Sequence, residues 1–352
     1  MKHAIVLLGG LLGGLLPACS DSTKQPERLF GVASLYVKLG MASSSVVLYE
    51  RVFEMPGERR RLTIAAPGQQ PAVRYTSPYL GILYSSTLGA PAARQDDFAI
   101  DQDAVYVIDY CANGSTTDDE VARNCRALLR IPLAGGAPTT LATGWIHSFG
   151  LLGDTVWYVG EEGTGHLDRV AKTGGAPTRV VEDVRAVFAR EGQLISEHRD
   201  ASQSCFYVRR NAQGEEFARS SSHGCSWSGI ATATSLIFDS QNTSRLISWD
   251  FADTATVRIL SEAQPRAFTL RGTTLFVLPF GEAYQVQMGS TTQTRWKPSS
   301  LMQIDSANET SVRTIFDQLD EPRAVTADDA YLYWVARDGD GQALFRGARP
   351  TE

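Results

Sequence analysis

The sequence repeats itself about every forty residues, and this period limits the folds that the chain can adopt. Residues 130–142 (RIPLAGGAPTTLA) recur as residues 169–181 (RVAKTGGAPTRVV), at an offset of 39 residues. Each copy predicts a strand, a Gly-Gly turn and a second strand, because glycine supplies the positive φ that a tight turn needs. The proline after each turn suits the start of an outer strand, where no ladder donor is required.

A second motif recurs along the chain and combines a short apolar stretch, a polar turn and an alternating aromatic strand. Its six copies are 38 to 57 residues apart and occupy residues 98–109, 149–159, 187–197, 230–239, 268–278 and 325–335. No segment shows a sustained helical period apart from the N-terminal apolar run. About four short strands in each forty residues predict an all-β propeller, because such a unit is one propeller blade.

The N-terminal region supplies the rest of the predicted ring. Residues 28–39 and 45–54 both have strand patterns, and residues 30–95 are long enough for one divergent blade. Seven blades are therefore predicted. Six is the alternative if this region only supplies the strand that closes the ring and forms no blade of its own. By repeat phase the last blade lacks its outer strand. An N-terminal strand is expected to fill that place, since an unpaired edge promotes aggregation.

At the Gly-Gly-Ala-Pro-Thr segments and the Tyr-Trp pairs, the chain resembles secreted bacterial propellers. It is also distantly similar to the YWTD propellers of lipoprotein receptors. The resemblance covers residues 96–349 and implies that the Tyr-Trp strand lies inside a blade and the Gly-Gly strand pair outside it. The Tyr-Trp-Thr-Asp string itself is absent from the sequence, so no property specific to receptors follows.

The N-terminus resembles the signal of bacterial lipoproteins. Lys2 precedes the uncharged apolar residues 5–16, and Leu-Pro-Ala-Cys ends at Cys19. The apolar run fits a signal peptide and is shorter than a membrane span. The resemblance implies cleavage before Cys19 and acylation of this cysteine by diacylglycerol and palmitate. Pro17 departs from the usual alanine or serine, and an ordinary secretory peptide with a chance cysteine is the alternative.

These signals divide the chain into a signal peptide, a tether and a single domain. The signal peptide is predicted at residues 1–18, the lipidated tether at 19–28 and the propeller at 29–352. Ser20 is not the aspartate that retains lipoproteins at the inner membrane in that family, so the resemblance implies export and anchoring at the outer membrane.

Four further cysteines predict disulfides, because export places them in an oxidising compartment. Local pairing of Cys111 with Cys125 and of Cys205 with Cys225 is favoured among three connectivities, since each pair flanks a polar loop. A metal site is the alternative, and it would need close CxxC-type spacing, which the sequence lacks.

No catalytic signature accompanies the repeats. The four histidines of the predicted mature chain lie in different repeats, and the sequence contains no HxxxH pair and no GxSxG segment. Aspartates recur in the turn before the aromatic strand, where they are expected to accept bonds from backbone amides. The alternative is that these aspartates converge on a central channel. The histidines are His147, His166, His198 and His223, and the recurrent aspartates are Asp101, Asp103, Asp154, Asp328 and Asp329.

The segment Asp338-Gly-Asp-Gly-Gln is the most metal-like string in the chain. Asp338 and Asp340 resemble the start of a calcium loop, but the distal glutamate of that loop is absent. Asp-Gly is also a favoured hairpin turn, and the repeat places a hairpin here. A hairpin turn is therefore predicted for this segment, and no cofactor is expected. Calcium binding is the weaker alternative.

The sequence favours a non-catalytic binding or scaffolding propeller for a protein or glycan ligand. The alternative is a propeller hydrolase or lactonase with a metal in the central channel. A net charge of −6 argues against nucleic acid as a partner. The chain is expected to be a monomer that contacts the membrane through its lipid.

Overall fold

The computed structural model describes eleven segments of the chain. They are residues 26–33, 36–54, 57–79, 81–82, 98–110, 125–160, 165–253, 257–288, 291–306, 311–339 and 341–350. The predicted signal peptide, the lipidation site Cys19, Cys111 and Asp340 lie outside the described residues, as does most of the predicted tether.

Within these segments every regular element is a β-strand, and the strands form seven antiparallel blades. Blade 1 contains β2 (Val37–Ala42), β3 (Ser45–Glu54), β4 (Gly57–Ala65) and β5 (Ala72–Thr76), and β6 (Gly81–Ile82) also pairs with β4. Blade 2 contains β7 (Phe98–Ile100), β8 (Ala104–Tyr110), β9 (Arg126–Pro132) and β10 (Thr139–Gly144). Blade 3 contains β11 (Ile146–Leu152), β12 (Thr155–Gly160), β13 (Gly165–Ala171) and β14 (Thr178–Val184).

The remaining blades continue the same order. Blade 4 contains β15 (Ala186–Arg190), β16 (Gln193–Arg199), β17 (Cys205–Arg210) and β18 (Glu216–Arg219). Blade 5 contains β19 (Ser226–Ala231), β20 (Ser235–Ser240), β21 (Arg245–Asp250) and β22 (Val257–Ser261). Blade 6 contains β23 (Pro265–Arg271), β24 (Thr274–Pro279), β27 (Ser299–Asp305) and β28 (Val312–Leu319). Between β24 and β27 lies a separate hairpin of β25 (Ala283–Met288) and β26 (Thr291–Trp296).

Blade 7 closes the ring with strands from both ends of the chain. It contains β29 (Ala324–Ala327), β30 (Tyr331–Asp338) and β31 (Gly341–Ala348), and β1 (Glu27–Val32) pairs with β31 as its fourth strand. The ion pair between Arg346 and Glu27, at 2.6 Å, lies on this seam. The predicted seven-bladed propeller and its N-terminal closure are both confirmed.

The predicted repeats coincide with the blades. Each of the six motif copies forms the first two strands of blades 2 to 7, and residues 130–142 and 169–181 form the outer pairs of blades 2 and 3. Gly135 and Gly136 have φ of 96° and 115°, as their turn requires. This agreement follows because both the turn glycines and the alternating strands are local features.

One prediction about the N-terminal region was wrong in detail. Residues 28–39 do not form one strand, because β1 ends at Val32 and β2 begins at Val37. The two strands belong to different blades, since β1 pairs at the outer edge of blade 7 and β2 is the first strand of blade 1. The chain must therefore break its pairing between them to pass from the rim to the channel.

Buried side chains fill the spaces between neighbouring blades. Trp157, Trp249 and Trp334 are at most 1% exposed, and each belongs to an apolar cluster shared by strands of two blades. Such large rings bury more apolar area than any other side chain. Among the described residues, no helix is long and apolar enough to span a membrane.

Candidate functional site

The two faces of the ring differ in the length of their connections. One face, here the turn face, joins first to second strands through two or three residues and third to fourth strands through five or six. The opposite face, the loop face, carries the connections between second and third strands and between blades. There the second-to-third connections range from two to nineteen residues, and the longest contains the β25–β26 hairpin. The insertions in the repeat are therefore concentrated on the loop face.

A central cavity of about 760 Å³ runs along the first strands of the blades. Its wall is more apolar than polar and includes the buried rings of Phe149, Phe188 and Phe268. The first strands of blades 3 and 4 approach each other so closely that a Cβ on Gly150 would lie 2.7 Å from that of Ala189. Glycine is therefore needed at position 150 for this approach.

Three carboxylates line the cavity, at Asp101, Glu191 and Asp239. Asp101 accepts a hydrogen bond from Lys172 at 2.8 Å and others from the amides of Asp103 and Ala104. Burial would raise the pKa of Asp101, but these hydrogen bonds hold it below its ordinary value. Asp101 therefore has the turn-forming role that the sequence predicts.

Asp239 has a different environment from Asp101. It lies near the end of β20, is 5% exposed, and its Oδ1 has no hydrogen-bond partner among the described residues. Burial raises the pKa of Asp239 to about 7. A buried carboxyl with a perturbed pKa in a cavity is typical of a functional group.

Two arginines lie at the end of the cavity where the first strands of blades 6 and 7 begin, which is the loop-face end. The guanidinium of Arg266 lies 5.2 Å from the ring centre of Phe280 and 5.0 Å from that of Trp296. The guanidinium of Arg323 lies 6.0 Å from the same tryptophan and donates to Glu321 at 2.9 Å. The inserted hairpin thus contributes its last residue, Trp296, to the cavity.

A disulfide and a buried ion pair join blades 4 and 5 at the loop face. Cys205 and Cys225 form the predicted disulfide. Glu197 is fully buried and accepts a hydrogen bond from Arg185 at 2.9 Å. It also accepts hydrogen bonds from the amide and the hydroxyl of Ser226 in the next blade. Cys125 is also disulfide-bonded, but the predicted partner Cys111 lies outside the described residues.

One group among the described residues has three potential metal ligands close together. It consists of Glu197, Cys205 and Cys225. Both sulfurs belong to the disulfide, and the carboxylate is bonded to Arg185 and Ser226. These atoms therefore form a structural joint between blades.

The histidines are not brought together. Burial, followed by the charge of Arg210, lowers the pKa of His198 to about 4, and its Nδ1 lies 2.7 Å from the carbonyl of Asp183. The others contact separate partners, namely Arg185 for His147, Asp168 for His166 and Ser221 for His223. The described histidines therefore have local structural roles.

Asp338 lies in the hairpin that the repeat predicts. It pairs with Gly341 at the end of β30, and Gly339 between them has a φ of 61°. Its carboxylate accepts a bond from Arg28 of the closing strand at 2.5 Å. Asp340 lies outside the described residues, so the calcium alternative stays a prediction.

Two of the recurrent aspartates of the turn face form hydrogen bonds within their own turns, whereas Asp329 accepts from Arg271 of blade 6. Asp328 accepts from the amides of Ala330 and Tyr331 and from the hydroxyl of Tyr333, and Asp101 makes the equivalent bonds with its own turn and Tyr106. The spacing of aspartate and tyrosine by five positions is the sequence signal of this arrangement.

Sequence reasoning missed the arginine pair and the buried Asp239. Asp239 ends one of the predicted motif copies, and Arg266 and Arg323 just precede two others. An arginine next to the start of an innermost strand was the available signal. The ring geometry was needed to show that these positions share one cavity.

Comparison with known proteins supports the fold. No protein-family model matches the sequence, and no curated protein matches it significantly. The β-propeller domain of the trilobed protease from Pyrococcus furiosus, described as having an open velcro topology, is 7% identical. That alignment covers 89% of this chain and 95% of the other, with a TM-score of 0.55.

Two further structures show the same likeness. The acylaminoacyl peptidase of Pyrococcus horikoshii is 9% identical over 90% of this chain and 52% of its own, with a TM-score of 0.56. AztD from Citrobacter koseri is 9% identical over 90% of this chain and 91% of its own, with a TM-score of 0.50. At these identities the likeness shows the β-propeller fold alone.

Proposed function

We propose that this chain is an exported lipoprotein, anchored through Cys19 at the outer membrane, whose propeller is a non-catalytic binding or scaffolding module. Its partner is a protein or a glycan that binds the loop face. The observation that carries this proposal is the concentration of the variable, inserted connections on that face. Binding residues concentrate on loops that a rigid scaffold positions.

The disulfide content supports the export part of the proposal. Cys205 and Cys225 are bonded, and Cys225 is 4% exposed while Cys205 is fully buried. Disulfides persist in oxidising compartments and are rare in the cytosol. This is the expected state for a protein that a signal peptide directs across the inner membrane.

The metal-dependent hydrolase or lactonase remains the weaker candidate. Such an enzyme needs several carboxylates or histidines around one ion. Among the described residues, the carboxylates that line the cavity do not form such a group, and Asp101 is already bonded to Lys172. The geometry of the described wall therefore favours binding over hydrolysis.

The anchor is tested by metabolic labelling with palmitate. The wild-type chain is expected to incorporate label and to fractionate with the outer membrane, and globomycin should cause an unprocessed precursor to accumulate. The Cys19→Ala variant should remain unlabelled. Labelling of that variant, or normal processing in globomycin, would contradict lipidation at Cys19.

The binding face is tested by site-specific photocrosslinking in intact cells. A photoreactive residue at Tyr284, exposed on the β25–β26 hairpin, should give a discrete protein or glycan adduct. The matched control on the turn face carries the photoreactive residue in place of Gln102, which is exposed in the β7–β8 turn. Adducts confined to position 102, or equal at both positions, would contradict binding at the loop face.

A further inference from the structure

We infer that the central cavity is a binding site for an organic anion with an apolar body. Arg266 and Arg323 bind its carboxylate or phosphate group, and the apolar wall of the first strands contacts its body. This inference goes beyond the proposed function, since the ligand lies inside the channel and requires neither the lipid anchor nor a partner on the loop face.

Arg266 is a cation for which the described part of the chain provides no hydrogen-bond acceptor. It follows Pro265 on β23, and its guanidinium lies within 5.2 Å of the ring centres of both Phe280 and Trp296, which are themselves 6.0 Å apart. The described residues give it these cation–π contacts and no hydrogen-bond acceptor. Its N–H groups are therefore available to a ligand.

Arg323 adds a second cation to the same end of the cavity. Its Nη2 pairs with Glu321, but its Nε is buried without a hydrogen-bond partner among the described residues. A buried donor left without an acceptor costs free energy. Glu321 is the carboxylate paired with Arg323, so the two arginines and this glutamate leave one positive charge in excess.

Burial and the neighbouring charge both disfavour the charged form of Arg266. Burial, followed by the charge of Arg323, lowers the pKa of Arg266 to about 9. Burial likewise lowers the pKa of Arg323. Like charges held together in a partly dry site are unfavourable, and an anion bound between them would offset that cost. Arginine also binds carboxylate and phosphate through paired hydrogen bonds.

The aromatic part of the cavity wall suits an apolar body. Its volume of about 760 Å³ lies within the usual range for small-molecule sites. Phe149, Phe188 and Phe268 supply apolar surface, which a free inorganic ion would leave unused. Asp239 offers one buried oxygen that no described residue bonds, which suits a hydroxyl or amide on the ligand.

Calorimetry tests this inference with the purified full-length protein in lipid nanodiscs, with empty nanodiscs as the blank. The probes are decanoate, decyl phosphate, decanol, decyltrimethylammonium and inorganic phosphate. Decanoate or decyl phosphate is expected to bind, and the one that binds more tightly identifies the head group. Equal affinity for decanol, or binding of neither anion, would overturn the inference. Inorganic phosphate as tight as decyl phosphate would refute the apolar half of the site.

Matched variants assign the binding to the arginine pair. Arg266→Met and Arg323→Met should each weaken anion binding by about tenfold or more, because each removes charged hydrogen bonds. Arg271→Met is the control, since Arg271 ends the same strand at the turn face and pairs there with Asp329. Equal affinity in Arg266→Met and Arg271→Met would refute the assignment.

A variant that leaves both arginines intact distinguishes loss of the binding site from loss of the fold. Thr269→Trp adds a large ring to the cavity wall at a partly exposed position. It is expected to abolish binding of the ten-carbon anions while the melting temperature stays near that of the wild type. Undiminished binding in a folded Thr269→Trp protein would contradict the location in the channel.

Discussion

At the scale of single residues, buried charged groups differ in whether the described part of the chain gives all their polar atoms a partner. Glu197 and Arg185 form a bonded pair that reaches Ser226 in the next blade. Asp239 occupies the end of the next blade's second strand, yet its Oδ1 has no partner among the described residues. The first arrangement stabilises the fold, and the second leaves a group available for binding.

Replacement of Glu197 by glutamine is expected to destabilise the protein strongly. The change removes the negative charge that compensates buried Arg185, and such a loss costs about 3–5 kcal/mol. The measurement is the free energy of unfolding in urea. Glu216→Gln is the control, because the exposed pair with Arg219 contributes at most about 1 kcal/mol. Similar losses in the two variants would contradict the bridging role of Glu197.

Asp239 predicts a specific dependence of stability on pH. Its pKa rises from an ordinary value of 3.8 to about 7 on folding. The folded protein therefore binds this proton more tightly, and the free energy of unfolding falls as the pH rises from about 4 to 7. The slope is at most about 1.4 kcal/mol per pH unit for one group.

The matched variant isolates this effect. Asp239→Asn removes the titrating group, so it should be more stable than the wild type at pH 8, and this advantage should disappear near pH 4. Thermal unfolding of both proteins across that range provides the comparison. A difference in melting temperature that does not change with pH would show that Asp239 titrates normally.

At the scale of elements, the loop face depends on covalent and local restraints. The disulfide between Cys205 and Cys225 joins the start of β17 to the residue before β19, across a sequence separation of 20. The double variant Cys205→Ala/Cys225→Ala should lose about 2–4 kcal/mol of unfolding free energy. Urea unfolding under oxidising conditions measures this loss. An unchanged midpoint would mean that the blade junction is held by its other contacts alone.

The elements that sequence predicted well are those with local signals. Gly174 and Gly175 mark their turn by their own conformational freedom, and Asp328 with Tyr333 marks a turn through a bond five residues apart. The cluster of Arg266, Trp296 and Arg323 has no such signal. Its members come from two blades and an inserted hairpin, and only the closed ring brings them together.

At the scale of the whole molecule, both proposed sites, the central cavity and the loop face, depend on closure of the propeller ring. β1 fills the outer edge of blade 7, so one end of the chain completes the blade that the other end begins. The repeat phase predicted this partnership, because the last copy lacked an outer strand. It did not predict that residues 28–39 divide between two blades, since the unbroken apolar pattern does not indicate where the first strand ends and the second begins.

The closed ring is tested most directly by replacing residues 27–32 with a Gly-Ser segment of equal length and following thermal unfolding. Loss of β1 exposes the edge of β31 and removes its ion pairs with Arg346 and Asp338. We expect loss of the single cooperative transition. Replacement of residues 284–295, in the hairpin outside the blades, should leave that transition in place. A melting curve unchanged by removal of β1 would contradict the closed ring on which the channel site and the loop face both depend.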